Sequence, residues 1–450
     1  MCAPLLASVR QTRTNMADHH MSMFNQSVTS LWQQTAVPLA QPPQLRERMK
    51  ADVTIIGAGI TGLRAALELS KRNISVVVLD SHEPGWGASG RTGGQVNPLA
   101  HATPDVIIQQ LGPVFGPRML DAYINSASEL FNLVKQHDLQ CEAVQGGWLR
   151  GAHCESATKD LQKMYDGWSK IGLDISFVEG AELRRLSGSD AYKTATLVKS
   201  AGSLQPLSYS RELARVAKSQ GADIFANSPV LNVKAQGGKW TTTTQYGEVV
   251  SDWVLHCTNG YTDNALKGLR QTIVPLISIQ AATRPLTKAE YDAVLPEGHT
   301  LADTRRVIYY SRKDNRNRLL FGSLGTAESC ARADKQRLLR SMRSVFPQFC
   351  EEDLEYHWGG RVAFTPDVLP HLHEPAPGQL AGLGYNGRGV AMATVMGRVL
   401  AERVAGKPAE DLPIPTTGFK SVPFHGFHKV GVVSAIKYFE FRDNTDAKFF

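Results

Sequence analysis

A glycine pattern near the start of the ordered sequence is the first feature that could do chemistry. Gly57, Gly59 and Gly62 have the spacing G-x-G-x-x-G, with Ile60 and Thr61 between the last two. Between a strand and a helix, such glycines permit a tight turn, let the backbone approach a pyrophosphate and allow close packing of the helix. The free N–H groups at the helix start attract phosphate oxygens. These five residues are therefore predicted to bind a dinucleotide.

The elements around this turn support that interpretation. Residues 52–56 and 75–79 are short apolar runs that predict strands, and residues 60–72 carry apolar side chains at helical spacing. This strand, helix, strand unit places Asp80 at the end of its second strand, where a carboxylate can accept hydrogen bonds from a ribose. Ser81, the next residue, is also predicted to contact the cofactor. A ligand-free glycine turn is the alternative, and this context disfavours it.

A second loop of small residues follows at 85–95. A nicotinamide-binding fold would normally continue into a third strand and helix at this point. Here the loop composition suits a chain that lies flat against a planar ring system and aims backbone donors at its heteroatoms. The predicted contacts are Gly87, Ala88, Ser89, Gly90, Arg91, Thr92, Gly93, Gly94 and Gln95.

Three later segments also combine turn residues with the ends of regular elements. An apolar strand at 254–257 leads into a turn, a glycine pair precedes an arginine near 360, and the glycine loop 384–390 precedes an amphipathic helix at 390–404. A helix that begins on a glycine loop offers N–H donors and a positive dipole end. These segments contain Thr258, Asn259, Gly260, Gly360, Asn386, Gly387, Arg388, Gly389 and Val390.

Composition excludes several protein classes. The chain has 450 residues, of which 42% are hydrophobic and 20% charged, so it is long enough for two or three domains. Its net charge of +7 is spread along the chain without a basic block, so no nucleic-acid partner is predicted. No apolar run is long enough to predict a membrane segment. The six cysteines form no C-x-x-C pair, which predicts reduced thiols, no metal site and a cytoplasmic location.

Four of these motifs together resemble FAD-dependent oxidoreductases of the D-amino-acid oxidase, glycine oxidase and sarcosine oxidase superfamily. Within it, the chain is most similar to the γ-glutamylputrescine oxidase-like branch, which includes L-pipecolate oxidases. The motifs are Gly-Ala-Ser-Gly-Arg-x-Gly-Gly at 87–94, Thr-Asn-Gly-Tyr at 258–261, Trp-Gly-Gly-Arg at 358–361 and Gly-Tyr-Asn-Gly-Arg-Gly-Val at 384–390. The resemblance implies FAD as cofactor, with contacts from the residues named above at 258–260, 360 and 386–390 and a backbone contact from Val230 to the adenine.

The resemblance also implies a fold: an α/β FAD-binding Rossmann-type domain, glutathione-reductase-like, interleaved with an α+β substrate domain on an antiparallel sheet. Strand-like alternation at 280–285, 307–311 and 318–322, and helical patterns at 119–137 and 159–171, fit the second domain. The predicted FAD-binding domain comprises 51–95, 196–262 and 351–415, and the substrate domain 96–195 and 263–350. Residues 1–50 are predicted to be a largely extended leader and 416–450 a tail.

The implied reaction is oxidation of a C–N bond in a small amine or amino or imino acid. Hydride passes to flavin N5, the imine product is hydrolysed, and O₂ or another electron acceptor reoxidises the flavin. L-Pipecolate-like cyclic imino acids and γ-glutamyl polyamines are the leading substrates. The oligomeric state is left open. Cys330 and Cys350 stand in charged sequence away from the glycine loops, so the FAD is predicted to be non-covalent.

Arginines are the natural partners of a substrate carboxylate, since each offers a bidentate fork. The candidates are Arg305, Arg312, Arg361 and Arg388, and the predicted catalytic group is Tyr309, Tyr310, Arg312 and Arg361. The two tyrosines are neighbours in one strand, so one is expected to face the core and the other the pocket. His101, His371 and His373 are possible bases, although an ordinary loop histidine is the simpler interpretation.

Two other protein classes fit part of the sequence. An NAD-dependent dehydrogenase requires only the first glycine motif and leaves the loops 85–95 and 384–390 unexplained. A non-catalytic flavoprotein would retain every flavin motif without turnover. A visible absorption spectrum tests the first alternative, and oxygen consumption with a panel of amines tests the second.

Overall fold

The computed structural model describes residues 30–447, so most of the predicted leader lies outside the described residues. The helices are α1 (Leu31–Thr35), α2 (Ile60–Ser70), α3 (Pro104–Gln136), α4 (Glu155–Lys170), α5 (Gly180–Ser187), α6 (Pro206–Ser219), α7 (Lys288–Ala293), α8 (Arg332–Val345), α9 (Gly389–Val404) and α10 (His428–Ala447). None of these helices is both long and apolar enough to cross a membrane.

The strands of the described residues form two large sheets and one small two-stranded sheet, which pairs Gln95–Val96 with Gly202–Ser203. The strands are β1 (Arg48–Ile56), β2 (Val76–Leu79), β3 (Gln95–Val96), β4 (Trp148–Gly151), β5 (Ile175–Glu179), β6 (Thr194–Val198), β7 (Gly202–Ser203), β8 (Asp223–Phe225), β9 (Asn232–Gln236), β10 (Lys239–Thr243), β11 (Glu248–His256), β12 (Val274–Pro285), β13 (Thr300–Asp303), β14 (Tyr310–Lys313), β15 (Arg318–Gly325), β16 (Leu354–Phe364), β17 (His371–Ala376), β18 (Gln379–Leu383) and β19 (Thr416–Thr417).

The first sheet has the order β19-β17-β18-β11-β1-β2-β8, and the hairpin β9-β10 is attached to β11. At its centre, β1 runs parallel to both β2 and β11, so that Ile56 is level with Leu79 and His256. Parallel strands that end in register bring their following loops to one edge of the sheet. The glycine turn after β1, Asp80 and the 257–260 segment therefore meet at this edge.

The second sheet has the order β16-β12-β15-β14-β13-β4-β6-β5. Its pairs are antiparallel except for β4 and β13, which run parallel, so the prediction of a purely antiparallel sheet needs this correction. The strands β6 and β16 also pair in this sheet, although the predicted boundaries placed 196–198 and 351–415 in the other domain. In addition, β19 joins the first sheet from the predicted tail. Alternating polarity predicts a strand but not the sheet in which it pairs.

Several element boundaries differ from the predicted ones for local reasons. The predicted helix 119–137 belongs to a longer helix, α3, which is kinked where Gly112 has a φ of 76°. The predicted strand 307–311 begins only at Tyr310, because the Asp303 carboxylate accepts hydrogen bonds from the backbone of Tyr309 and Arg305 and holds the preceding residues in a turn. The predicted extended leader contains α1, whose start carries a capping box between Ser30 and Gln33.

Candidate cofactor and substrate site

The first glycine turn leaves no room for side chains. Gly57 has a φ of +107°, and a Cβ on Gly62 would lie 2.0 Å from the Gly57 carbonyl oxygen. A Cβ on Gly59 would lie 2.8 Å from Oγ of Ser89. The same Oγ accepts a hydrogen bond of 3.0 Å from the backbone N–H of Ile60, the first residue of α2. The second predicted loop therefore packs directly on the first.

Asp80 lies beside this turn. Its two carboxylate oxygens accept hydrogen bonds from the backbone N–H groups of Ala58 (2.7 Å) and His82 (2.8 Å). Burial raises the pKa of Asp80 to about 6, and these two hydrogen bonds oppose the rise. Ser81 is exposed next to it. The Asp80 carbonyl oxygen accepts a bond from the Ser228 N–H, which brings the 226–231 segment alongside the carboxylate.

Val230 lies in that segment and not in a strand, and it packs against the Leu45, Val77 and Leu79 cluster. Within residues 30–447, neither its N–H nor its carbonyl group has a hydrogen-bond partner. Both groups are thus available for a nucleotide base, which is the predicted role.

Four buried side chains hold three consecutive carbonyl groups of the second loop. The Arg91 carbonyl accepts from Gln280 Nε2 (2.6 Å) and Trp358 Nε1 (2.9 Å). The Thr92 carbonyl accepts from Trp32 Nε1 (2.8 Å), and the Gly93 carbonyl accepts from Arg312 Nε (2.7 Å). Within residues 30–447, the N–H groups of Gly93 and Gly94 have no partner. Two adjacent backbone donors thus remain free on this loop.

The loops after β11 and β18 are bonded to each other. Oδ1 of Asn259 accepts from the Gly384 N–H at 3.0 Å, and Nδ2 of Asn386 donates to the Gly384 carbonyl at 2.6 Å. Tyr385 completes the connection, because its hydroxyl lies 2.6 Å from Oγ1 of Thr61 in α2. The predicted residues of both segments therefore border the same site as the first glycine turn.

The glycines near 260 and 360 join these loops to the 87–94 loop. A Cβ on Gly260 would lie 3.1 Å from the Arg361 carbonyl oxygen, and one on Gly360 would lie 3.0 Å from Cβ of Arg91. A Cβ on Gly87 would meet the Tyr261 ring at 3.3 Å. The structure thus brings together predicted cofactor residues that are far apart in sequence.

The side chain of Arg388 is buried beside this site. Its Nε donates to the Leu99 carbonyl at 2.7 Å, and its guanidinium lies 5.1 Å from the centre of the Trp148 ring. Burial, and then the charge of Arg150, lower the pKa of Arg388 to about 9. Among residues 30–447, no carboxylate oxygen lies within 4 Å of the Arg388 guanidinium. The group remains a cation at neutral pH without an anion in contact.

The other predicted arginines have partners. Nε of Arg361 donates to Glu328 at 2.7 Å, and Arg305 forms an ion pair with the buried carboxylate of Asp303. Arg312 donates not only to Gly93 but also to the carbonyls of Leu204 (2.8 Å) and Lys313 (3.2 Å).

The two tyrosines face different clusters, as their adjacent positions predict. Tyr309 packs on Phe321, away from the glycine loops. Tyr310 donates to or accepts from Oγ of Ser278 at 2.7 Å, and a Cβ on Gly93 would lie 2.9 Å from its ring. Tyr310 is therefore the tyrosine that borders the 85–95 loop.

The histidines differ in the same way. Nε2 of His101 lies 2.6 Å from the Asn386 carbonyl oxygen, so this nitrogen carries the proton. Burial, followed by the charges of Arg388 and Arg150, holds the pKa of His101 well below its usual range. His371 bonds to Asp367, and His373 bonds to the Thr417 carbonyl, so both serve the strands around β17.

Sequence reasoning missed several residues of this site. Trp32 and Gln280 are bonded to loop carbonyls, and Arg150 lies on the same face of β4 as Trp148. An isolated tryptophan in an otherwise polar leader was the available signal for Trp32. No local pattern distinguishes Arg150 from a surface arginine.

The residues present fit FAD. Glycines provide the space at two helix starts, Asp80 offers a ribose acceptor, and free N–H groups on the second loop suit the heteroatoms of a ring. The sequence matches the family "FAD dependent oxidoreductase" over residues 52–403. The chain therefore belongs to this family, which confirms the family predicted from the motifs. It is an oxidoreductase, and FAD is its cofactor.

Individual relatives agree with this assignment. The chain is 30% identical to the probable oxidoreductase OrdL of Haemophilus influenzae, over 90% of this chain and 94% of the relative. It is 27% identical to the γ-glutamylputrescine oxidoreductase of Escherichia coli, over 80% and 85% of the two chains. The crystal structure of glycine oxidase from Geobacillus kaustophilus has a similar fold, with a TM-score of 0.69 at 20% identity, covering 84% of this chain and 98% of that one.

Proposed function

We propose that this enzyme oxidises the C–N bond of a small amino or imino acid whose carboxylate is bound by Arg388. The observation that carries the proposal is the buried Arg388 guanidinium, which has no carboxylate within 4 Å among the described residues. A buried cation without an anion is costly, and a carboxylate ligand removes much of that cost. The γ-glutamylputrescine and glycine named for two relatives both carry a carboxylate in their amino-acid part.

Arg150 supports the same site. It stands two residues after Trp148 on β4, so both side chains lie on one face of the second sheet. The charge of Arg150 is one cause of the lowered pKa values of Arg388 and His101, which places the three groups near one another. Two guanidinium groups close to the same part of the site favour an anionic group there and disfavour a substrate that carries only positive charge.

FAD, Arg388 and His101 would then have different roles at the reacting carbon. When bound, FAD accepts the hydride. Arg388 orients the substrate through its carboxylate. His101 donates its Nε2 proton to the Asn386 carbonyl, and burial and the charges of Arg388 and Arg150 favour its neutral form, so its Nδ1 would accept a hydrogen bond from the substrate amine and would not take up the ammonium proton. An amine must lose that proton before its lone pair can assist hydride departure.

Within this class, the proposed substrates are L-pipecolate-like cyclic imino acids or γ-glutamyl polyamines, with O₂ or another acceptor as oxidant. The FAD is proposed to be non-covalent. Acid precipitation should release all flavin into the supernatant, and flavin that stays with the protein would contradict this part of the proposal.

The test is anaerobic bleaching of the bound flavin by L-pipecolate, sarcosine, D-amino acids and γ-glutamylputrescine, each paired with its carboxamide analogue. For the substrate that bleaches fastest, Arg388→Met should raise KM for the carboxylate about 10- to 100-fold, since a charged hydrogen bond contributes roughly 1.5–3 kcal/mol. KM for the amide should change far less. Arg403→Met is the control, because Arg403 lies in α9, the helix that directly follows Arg388, and pairs with Glu374.

Two results would contradict the proposal. One is an equal change in KM for carboxylate and amide, which would assign Arg388 to the flavin or to folding. The other is faster bleaching by simple uncharged amines than by any amino acid in the panel.

A further inference from the structure

In the loop 85–95, called the flavin loop below, distant side chains set the directions in which the backbone N–H and carbonyl groups point. In a trans peptide, the carbonyl of one residue and the N–H of the next point in opposite directions. The Thr92 carbonyl, held by Trp32, therefore sets the direction of the Gly93 N–H. The Gly93 carbonyl, held by Arg312, sets the direction of the Gly94 N–H.

These two N–H groups are the ones left without a partner within residues 30–447. Neither N–H is covered by a side chain of its own residue, because both residues are glycines. A Cβ on Gly94 would lie 2.2 Å from the Leu204 carbonyl oxygen, and Gly94 has a φ of +71°, so another residue is excluded there. The two free N–H donors therefore follow from the glycines that this loop requires.

The donors that orient the loop are buried and touch each other. Trp32 is 1% exposed and Arg312 is 5% exposed. The Arg312 guanidinium lies 4.9 Å from the centre of the Trp32 ring. Burial lowers the pKa of Arg312 to about 10, so it is still a cation at neutral pH, and its donors are occupied by the carbonyls of Gly93, Leu204 and Lys313.

We propose that Trp32 and Arg312 are positioning residues for the flavin: they turn the N–H groups of Gly93 and Gly94 toward the heteroatoms of the isoalloxazine ring and place a fixed positive charge behind the loop. Reduction adds negative charge to the ring. Oriented N–H dipoles and a buried cation favour the more negative form. The pair should therefore raise the reduction potential of the bound FAD, and Arg312 would not bind the substrate.

The experiment uses purified full-length holoenzyme and needs no substrate. Arg312→Met, Arg312→Lys and Trp32→Phe are compared with the wild type by the potential of bound FAD against a reference dye and by its visible spectrum. Arg312→Met should lower the preference for reduced over oxidised FAD about tenfold or more. For a two-electron couple a tenfold change is about 30 mV toward negative potentials. Arg312→Lys keeps the charge and should recover part of this loss.

Trp32→Phe keeps the ring and removes only the N–H donor. It should shift the potential in the same direction by a smaller amount and change the spectrum. Because the two side chains are in contact, the double variant should show a shift that is not the sum of the single shifts.

Matched controls test whether any buried donor has this effect. Trp168 is fully buried and its Nε1 donates to the Ala102 carbonyl at 3.1 Å, so Trp168→Phe removes an equivalent bond elsewhere. Arg318 donates to the Thr283 carbonyl at 2.8 Å in the same sheet, so Arg318→Met is the arginine control. Both controls should have the wild-type potential.

Three results would overturn the inference. One is a wild-type potential and spectrum in both Arg312→Met and Trp32→Phe. Another is a wild-type potential in Arg312→Met together with a raised KM for carboxylates only, which would make Arg312 a substrate ligand. A third is an equal shift in the controls. If Arg312→Met yields no holoenzyme, Arg312→Lys and Trp32→Phe decide by the same criterion. The potential and the spectrum do not depend on which substrate the enzyme oxidises; only the KM comparison uses the substrate found in the bleaching test.

Discussion

The ionisation of one side chain, Asp80, connects cofactor binding to pH. Its carboxylate accepts two backbone hydrogen bonds, and burial raises its pKa to about 6. In the FAD-free chain this raised pKa means that the ionised form is disfavoured by folding. The contribution of Asp80 to the free energy of unfolding is therefore greatest below about pH 4 and is lost as the pH rises through about 6.

FAD binding should show the opposite pH dependence. In the predicted contact, the ribose hydroxyls donate to the ionised carboxylate of Asp80, so protons should compete with FAD below about pH 6. We expect the dissociation constant of FAD to increase as the pH falls from 7 to 5 in the wild type. Asp80→Asn should bind FAD more weakly at pH 7, by about 1–3 kcal/mol, and should lack this pH dependence. Titration of the FAD-free enzyme at several pH values checks both, and an unchanged pH dependence in Asp80→Asn would assign it to another group.

At the scale of elements, the C-terminal helix α10 is attached to the second sheet by ion pairs. The buried carboxylate of Asp443 accepts from the Val307 N–H at 3.0 Å and from Arg306 at 2.7 Å, and Arg306 also reaches Asp446. His153 lies near these carboxylates, with the ligand atoms of the three residues within 4.8 Å of one another. Because Arg306 donates to both carboxylates, their charge is already partly balanced by a cation of the chain.

Asp443→Ala should loosen α10 without affecting the flavin site. It removes two hydrogen bonds and leaves the Val307 N–H without its acceptor, at a cost of about 1–3 kcal/mol. The expected result is faster cleavage by a protease near residues 420–430, with an unchanged flavin spectrum. Asp446→Ala is the control, because Asp446 is less buried and, within residues 30–447, its ion pair is with Arg306 alone. Equal protection of α10 in the Asp443 variant and the wild type would mean that apolar packing holds the helix.

At the scale of the whole molecule, both sheets contribute to the loops that are predicted to bind FAD, and these loops are bonded to each other. The 85–95 loop follows the first sheet but is held by Gln280, Arg312 and Trp358 of the second. The cofactor is therefore expected to stabilise both sheets together. With FAD at 100 times its dissociation constant, the free energy of unfolding should rise by about 2.7 kcal/mol.

Hydrogen exchange with and without FAD tests this coupling. Protection should increase in the first glycine turn, in the 85–95 loop and in the 384–390 loop, and also in strands β12 and β14, which carry the donor side chains. Protection confined to the first turn would show that the two sheets respond independently. Thermal unfolding followed at two wavelengths gives an independent check, because coupled sheets should unfold in one transition.

The sequence by itself was sufficient to predict the dinucleotide-binding unit of this protein. Gly57, Gly59 and Gly62 stand between two apolar runs, and the turn, the helix and Asp80 all lie within about thirty residues, so local periodicity was sufficient to predict them. The family also followed from short motifs, because each motif keeps its residues in a contiguous loop.

The tertiary structure alone decided which distant side chains serve those loops. Trp32 and Thr92 are separated by 60 residues and Gly93 and Arg312 by 219, and no periodicity connects them. Likewise, the alternation at 318–322 predicts the strand β15 but does not reveal that it pairs with β12 and β14. Arg312 and Arg388 are indistinguishable as sequence letters. The roles proposed for them differ because, within residues 30–447, the fold surrounds the Arg312 guanidinium with three carbonyl oxygens and the Arg388 guanidinium with one, so only Arg388 lacks enough acceptors for its buried charge.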